Sequence, residues 1–269
     1  YNTMLKDDKS YPYIRVTVQE EYPRILFCRN VKRDKSKYFG PYTSAGAVKE
    51  TIELMHKVYK IRNCNRILPR DIGKERPCLY HQIKQCDAPC QGYISKEQYR
   101  ENVEQALRFL NGDDKKILQD LEEKMMAAAQ AMEFEDAAEY RDLINSVKRI
   151  GEKQKINDTG GDDRDIIALA KAGDEAVVAI FFIRNGKLLG RDHFHMGGIG
   201  DSEKSEILMD FVKQFYMGTP FIPREILLQE EVPDTEILEK WLSDKRGGKV
   251  SFLTPKRGTK HKMMELAYK

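Results

Sequence analysis

The stretch Cys64-NRILPRDIGKERP-Cys78-LYHQIKQ-Cys86-DAP-Cys90 gathers four of the chain's five cysteines, spaced C-x13-C-x7-C-x3-C. Arg62 precedes it, and Arg66, Arg70, Arg76 and Lys84 lie within it. So little of this stretch is apolar that a hydrophobic core is a poor candidate for what organises it. Thiolates at fixed intervals point instead to a metal centre, and the surrounding cations to a polyanionic partner. Zinc ribbons and fingers use close C-x2-4-C pairs at both ends of a site, and only Cys86 and Cys90 are so spaced. Spacing therefore does not favour zinc, whereas four thiolates meet the full requirement of an iron–sulfur cluster. The competing readings are buried free cysteines or two disulfides, and without a secretory segment a disulfide framework is disfavoured. His81 sits among the cysteines as a substitute ligand, although four cysteines already complete a site. Cys28, in an apparent strand, reads as a buried free thiol.

With 269 residues, 41% hydrophobic and 33% charged, the chain has the composition of a soluble globular protein of roughly two domains. Its longest apolar runs, such as Ala176 to Ile183, fall far short of the ~20 residues a membrane span requires, so a cytoplasmic location and no membrane partner are expected. The sequence opens at Tyr1 without a methionine, the mark of a piece of a longer protein. A net charge of +3 hides an asymmetry: residues 1 to 100 hold 20 Lys+Arg against 11 Asp+Glu, and residues 101 to 269 hold 26 against 32. A basic half joined to an acidic half suggests that the first faces nucleic acid and the second protein or solvent.

Outward from the cysteines, periodicity divides the chain. Residues 11 to 30 alternate as a β-hairpin does, with Ile14, Val16 and Val18 on one face, a turn near Glu20 to Pro23, and Ile25 and Phe27 returning. The basic continuation carries Lys32, Arg33, Lys35 and Lys37 beside Tyr38, Phe39 and Tyr42. Cations interleaved with rings suit a nucleic-acid strand, with a solvated loop packed under the next helix as the alternative. Ser44 caps a helix striped by Val48, Ile52, Met55 and Tyr59. Ser95 and Gln98 form a capping box for a helix carrying Tyr99, Val103, Ala106, Leu107 and Leu110, stopped by Asn111-Gly112. Two further stripes follow, Leu118, Leu121, Met125, Ala128 and Met132, then Ala137, Tyr140, Ile144 and Val147, with a turn expected over Glu133 to Asp136. Such a hairpin has too little apolar area to stand alone, and docks either on its own chain or on a partner's hairpin. After a polar linker, Gly151 to Arg164, three strands with an Asn185-Gly186 turn lead into alternating helices and strands. The order β-β-β-α-β-α-β-α is that of an RNase H-like sheet. The expected fold class is thus α+β and multidomain: a β-hairpin/helix cysteine-rich module over 1–94, a helical region over 95–155 with an antiparallel hairpin at about 113–150, and an RNase H-like α/β module over 160–269.

Three blocks resemble one family. Leu121-Glu122-Glu123-Lys124-Met125 through Met132-Glu133-Phe134-Glu135-Asp136-Ala137-Ala138-Glu139-Tyr140-Arg141-Asp142 resembles the UVR hairpin shared by excinuclease subunits and some protease adaptors. The opening Tyr1 to Ile14 is similar to the segment after the GIY-YIG nuclease core of the UvrC family, a component of the bacterial UvrABC excinuclease. Pro77-Cys78-Leu79-Tyr80-His81-Gln82 and Ala88-Pro89-Cys90 are similar to that family's cysteine block. The resemblance implies nucleotide excision repair. It makes Cys64, Cys78, Cys86 and Cys90 ligands of a [4Fe–4S] cluster, with zinc as the alternative cofactor. It makes Met132, Phe134, Ala137, Ala138, Tyr140 and Arg141 a docking site for UvrB. DNA is the other expected partner, contacted by Lys32, Arg33, Lys35, Lys37, Arg62, Arg66, Arg70 and Arg76. Asn2 corresponds to an asparagine at the end of the GIY-YIG site, whose remainder would lie before Tyr1.

The family's RNase H-like nuclease performs the 5′ incision, but two-metal hydrolysis needs carboxylates converging from the first strand, the first helix and the fourth strand. The first strand's interior, Ile166-Ile167-Ala168-Leu169-Ala170, has none. Asp165 is expected to precede it, with Asp210 on the helix and Glu230 and Glu231 after the fourth strand, an arrangement that supports at most a displaced site. The family's Phe-Asp-Ile-Ser-His motif does not occur. The tail is therefore read as non-catalytic, and His193 and His195 as a polar strand face. The competing function is a zinc-binding UVR adaptor coupling a protease or kinase to a partner, although the paired C-x2-C knuckles of such adaptors do not occur.

Overall fold

The computed structural model describes residues 4–5, 10–153 and 162–268. The chain forms two compact units, Pro12–Gly40 with Ser44–Lys155, and Tyr1–Tyr11 with Pro41–Thr43 and Ile156–Lys269. In chain order the elements are β1 (Met4–Leu5), β2 (Tyr13–Val16), β3 (Ile25–Cys28), β4 (Lys37–Phe39), α1 (Ala45–Tyr59), α2 (Leu79–Gln82), α3 (Lys96–Leu110), α4 (Lys115–Gln130), α5 (Phe134–Lys153), β5 (Arg164–Ala172), β6 (Glu175–Arg184), β7 (Lys187–Gly197), α6 (Lys204–Gly218), β8 (Glu225–Leu228), α7 (Thr235–Arg246), β9 (Ser251–Leu253) and α8 (Gly258–Tyr268). The α+β class holds. By contact, α3, α4 and α5 share a unit with the cysteine segment, and the N-terminal residues share one with the tail.

In the cysteine-bearing unit the expected hairpin is a three-stranded antiparallel sheet ordered β3-β2-β4. Ile14, Val16 and Ile25 are buried as their alternation predicts. Val18 lies beyond the strand in a turn, closed by the Arg24 N–H donating to Thr17 Oγ1 at 2.8 Å. The basic continuation supplies the third strand, with Ile14 opposite both Phe27 and Phe39. Residues 29–36 are thus the connection from β3 to β4. Gly40 follows at φ +148°, where a Cβ would stand 2.6 Å from the Tyr13 ring, so only glycine fits there.

α1 starts at Ser44, whose Oγ accepts from Ala47 N–H at 3.3 Å, and buries Val48, Leu54, Met55 and Tyr59. α3 is capped by Ser95 through the Gln98 N–H at 3.2 Å, and buries Tyr99, Val103, Ala106 and Phe109. α4 and α5 form the antiparallel hairpin, closing through Ile117, Leu121 and Ala128 on one side and Leu143, Ile144 and Val147 on the other. Its turn comes earlier than Glu133 to Asp136: the chain reverses at Ala131 to Glu133, with Met132 left-handed at φ +59°, and Phe134 already opens α5.

The second unit holds a six-stranded mixed sheet ordered β1-β7-β6-β5-β8-β9. β5, β6 and β7 are antiparallel neighbours, and β8 and β9 extend the sheet parallel to β5. Asn185 and Gly186 both take positive φ, the conformation of a tight turn joining twisted strands. β5 is buried on both faces at Ile166, Ile167, Ala168 and Leu169, as a central strand requires. Phe182 and Phe194 pack against Phe211 and Phe215 of α6. Met263, Met264 and Ala267 of α8 cover Ile166, Ala168 and Leu227 on the other face. Tyr11 joins this core, its ring against Phe182 and its hydroxyl donating to Asp192 at 2.9 Å. Of the expected linker, α5 takes up the beginning and β5 the end at Arg164, and the middle lies outside the described residues, as does Asn2. No helix among the described residues is long and apolar enough to cross a membrane.

Candidate metal centre and nucleic-acid interface

The four clustered cysteines come from separate short segments. Cys64 follows α1, Cys78 stands at the start of α2, Cys86 lies just beyond α2, and Cys90 sits in the 3-10 turn Pro89–Gln91. All four line one cavity, together with Arg62, Arg66, Tyr80 and His81. All five cysteines of the chain are free thiols. Cys86 and Cys90 are buried, and Cys64 and Cys78 half-buried. Burial pushes the Cys86 thiol up to about 12, and the three neighbouring thiols reinforce the shift. Thiols gathered in one cavity ionise together only if a cation balances them. Among the described residues no three His, Cys, Asp or Glu side chains form a group that could hold a single metal ion. His81 Nδ1 lies 3.0 Å from the Cys86 carbonyl and its ring packs against Tyr93. Cys28 is half-buried rather than buried.

The expected phosphate contacts divide sharply. Arg62 is 3% exposed and faces inward. Its guanidinium donates to Tyr22 O at 2.9 Å, Cys64 O at 3.1 Å and Arg66 O at 2.8 Å, and pairs with Glu20 at 2.9 Å. Its place among DNA-facing residues is corrected, since an arginine buried among four acceptors does not present its donors to a phosphate. Arg66 is half-buried and donates to Cys90 Sγ at 3.0 Å. Arg70 is exposed but bonded to Asp71, whose carboxyl it holds well below the usual carboxylate range. Lys32, Arg33, Lys35, Lys37 and Arg76 are exposed. The aromatics do not interleave with them as a stacking platform. Tyr42 is buried, Phe39 is half-buried, and Tyr38 accepts from the Lys32 N–H and donates to Asp34. Arg29 instead lies over the exposed ring of Phe27, a pair with no signal in the alternation of the strand.

At the hairpin turn, Met132 and Phe134 are 76% and 70% exposed, and Met126 of α4 is 61% exposed. Arg141 is exposed, and Ala137, Ala138 and Tyr140 are half-buried. Away from the turn, α5 faces α1, where Arg149 pairs with Glu50 and Leu54 and Leu143 line one groove. The hairpin docks on its own chain at the base and leaves the tip uncovered.

In the second unit Asp165 lies in β5, just ahead of its apolar run as expected, and is 1% exposed. Its carboxylate accepts from Arg184 Nη1 at 2.8 Å and from the Tyr216 hydroxyl at 2.5 Å. Burial raises its pKa while Arg184 and Tyr216 oppose the rise. The first strand's one carboxylate is therefore committed to an internal network. Asp210 is half-buried on α6, and Glu231 pairs with Lys256. His193 and His195 lie exposed on β7 with ring centroids 5.8 Å apart.

Three family models match in succession: "UvrC/Cho excinuclease, middle domain" over residues 11–109, "UvrB/uvrC motif" over 115–150, and "UvrC Ribonuclease H-like domain" over 163–269. UvrABC system protein C of Lachnospira eligens is 58% identical across the whole chain, that of Acetivibrio thermocellus 51%, and that of Clostridioides difficile 46%. The chain belongs to the UvrC family. It spans 44%, 43% and 45% of the lengths of these three UvrC relatives. No solved structure matches it. The UvrB/uvrC motif coincides with α4, α5 and the uncovered tip, and the middle domain with the cysteine cavity and the basic connection.

Proposed function

We propose that this chain is the central scaffold of a nucleotide-excision-repair endonuclease subunit. It holds DNA with its basic half, recruits UvrB through the tip of the α4–α5 hairpin, and takes no part in cutting. The observation that carries this reading is the exposure of Met132 and Phe134 at the turn of the UvrB/uvrC motif, while the base of the same hairpin is occupied by α1. Large apolar side chains held clear of any core favour a protein contact, because burying such a ring gains roughly 2 kcal/mol. Ala137, Ala138, Tyr140 and Arg141 flank the tip as its rim.

Cys64, Cys78, Cys86 and Cys90 are the residues that would hold a [4Fe–4S] cluster. Their donor chemistry fits: four free thiols line one cavity, with cationic side chains beside them. When bound, such a cluster supplies a redox-capable cross-link among four backbone segments. The chain's own residues bury two of the thiols and set arginines against two of the sulfurs. DNA contact is assigned to Lys32, Arg33, Lys35 and Lys37 on the β3–β4 connection, with Arg76. The internal network of Asp165 supports a tail without an active site, and the protein is placed in the cytoplasm.

Association with UvrB tests the scaffold role. Replacing Phe134 with aspartate abolishes co-purification with UvrB while DNA affinity stays at the wild-type level. Undiminished co-purification would remove the tip from the interface.

A further inference from the structure

Four cysteines from four segments need more than their own bonds to stand in one arrangement, and one side chain connects most of them. Arg66 follows Cys64 by two residues. Its Nη1 donates to Cys90 Sγ at 3.0 Å. Its Nη2 donates to the Arg76 carbonyl at 3.0 Å and lies 2.9 Å from the Glu75 carboxylate. Glu75 and Arg76 immediately precede Pro77 and Cys78, so a single guanidinium ties the segments of Cys64, Cys78 and Cys90 together. The same loop is closed by the Gly73 N–H donating to the Cys90 carbonyl at 2.9 Å and by the Gln91 amide donating to the Glu75 carbonyl at 2.5 Å. A planar fork with five donors can serve a sulfur, a carbonyl and a carboxylate at once, which a lysine ammonium on a flexible stem cannot do in fixed geometry.

We infer that Arg66 is a positioning residue for the metal centre, donating to the Cys90 thiolate and locking the loop before Cys78 against it, and is not a phosphate contact. This rests on the iron–sulfur reading given above. A cation donating to a ligating sulfur favours the more negative, reduced form of a cluster, so its removal lowers the reduction potential. A role confined to folding would not move that potential.

The test uses the whole chain, purified without oxygen, as wild type, Arg66→Gln and Arg66→Lys. Metal content, midpoint potential, the rate of iron loss to a chelator and the salt dependence of binding to a DNA duplex are measured on each. Arg66→Gln shifts the reduced-to-oxidised ratio at fixed potential roughly tenfold toward the oxidised form, about 59 mV for a one-electron couple, and hastens iron loss. Arg66→Lys restores part of the potential but not the resistance to chelation, and the salt slope is the same in all three. Should Arg66→Gln not fold, Arg66→Lys decides alone: wild-type potential and wild-type chelation together overturn the inference. So does a variant with an intact, unshifted cluster whose salt slope has fallen by about one. A wild-type protein holding zinc and no iron overturns the iron–sulfur reading and this inference with it.

Discussion

Arg184 and Tyr216 decide what Asp165 can do. A carboxylate 1% exposed is tolerated only with partners, and here a guanidinium takes one oxygen and a phenol the other. A metal ion would have to displace both. Arg184→Met leaves that charge buried with one partner fewer and destabilises the unit by about 3–5 kcal/mol, read from denaturant unfolding. Tyr216→Phe costs about 1–3 kcal/mol by the same measurement. Neither variant, nor the wild type, nicks DNA with magnesium, and magnesium-dependent cleavage by this chain would contradict the internal role. The arginines of the cysteine stretch show the limit of reading charge from sequence. Arg62, Arg66 and Arg70 look alike there, but Arg62 finds acceptors at Glu20 and Tyr22, some 40 positions away, and turns inward. Arg66 finds a sulfur and Arg70 its own neighbour. The acceptors of Arg62 at Glu20 and Tyr22 and of Arg66 at Cys90 lie too far along the chain to leave a local signal.

At the scale of elements, strong local signals are legible in the sequence and weak nonlocal ones are not. The capping serines before α1 and α3, the paired stripes of α4 and α5, and the Asn185-Gly186 turn each carry their conformation in adjacent residues. β4 escapes a reading by pattern because three residues, Lys37-Tyr38-Phe39, show too little alternation, and their strand exists only through pairing with β2. β1 escapes it for the same reason, its two residues being set by Gly197 and Met196 of β7. The hairpin turn is expected too late because Phe134 reads with the turn, whereas Met132 at positive φ lets the chain reverse sooner. These assignments separate the hairpin's two ends. Val147→Ala, at the base, costs about 1–3 kcal/mol of stability, measured by thermal or denaturant unfolding, and spares UvrB binding once folded. Phe134→Asp, at the tip, leaves stability within about 0.5 kcal/mol while binding is abolished.

Across the molecule, the uneven charge of the sequence resolves into a small number of surfaces. The basic excess of residues 1 to 100 is partly neutralised by internal pairs, and what remains outward is concentrated on the β3–β4 connection. Replacing Lys32, Arg33, Lys35 and Lys37 together with alanine lowers DNA affinity and flattens its dependence on salt by about 0.9 in log–log slope for each phosphate no longer neutralised. The same property is unchanged in Arg70→Ala, and salt titration of binding distinguishes the two. The RNase H-like order of the tail is legible because β5, β6 and β7 are long regular runs and β8 and β9 then alternate with α6, α7 and α8, while the non-catalytic reading needs Asp165's partners to become physical. The proposed iron–sulfur centre at Cys64, Cys78, Cys86 and Cys90 is the claim on which the reading of the first unit most depends. Metal analysis of the protein purified without oxygen tests it most directly: the account predicts a brown protein with broad visible absorption and about four irons per chain, whereas a colourless protein with one tightly bound zinc would contradict it.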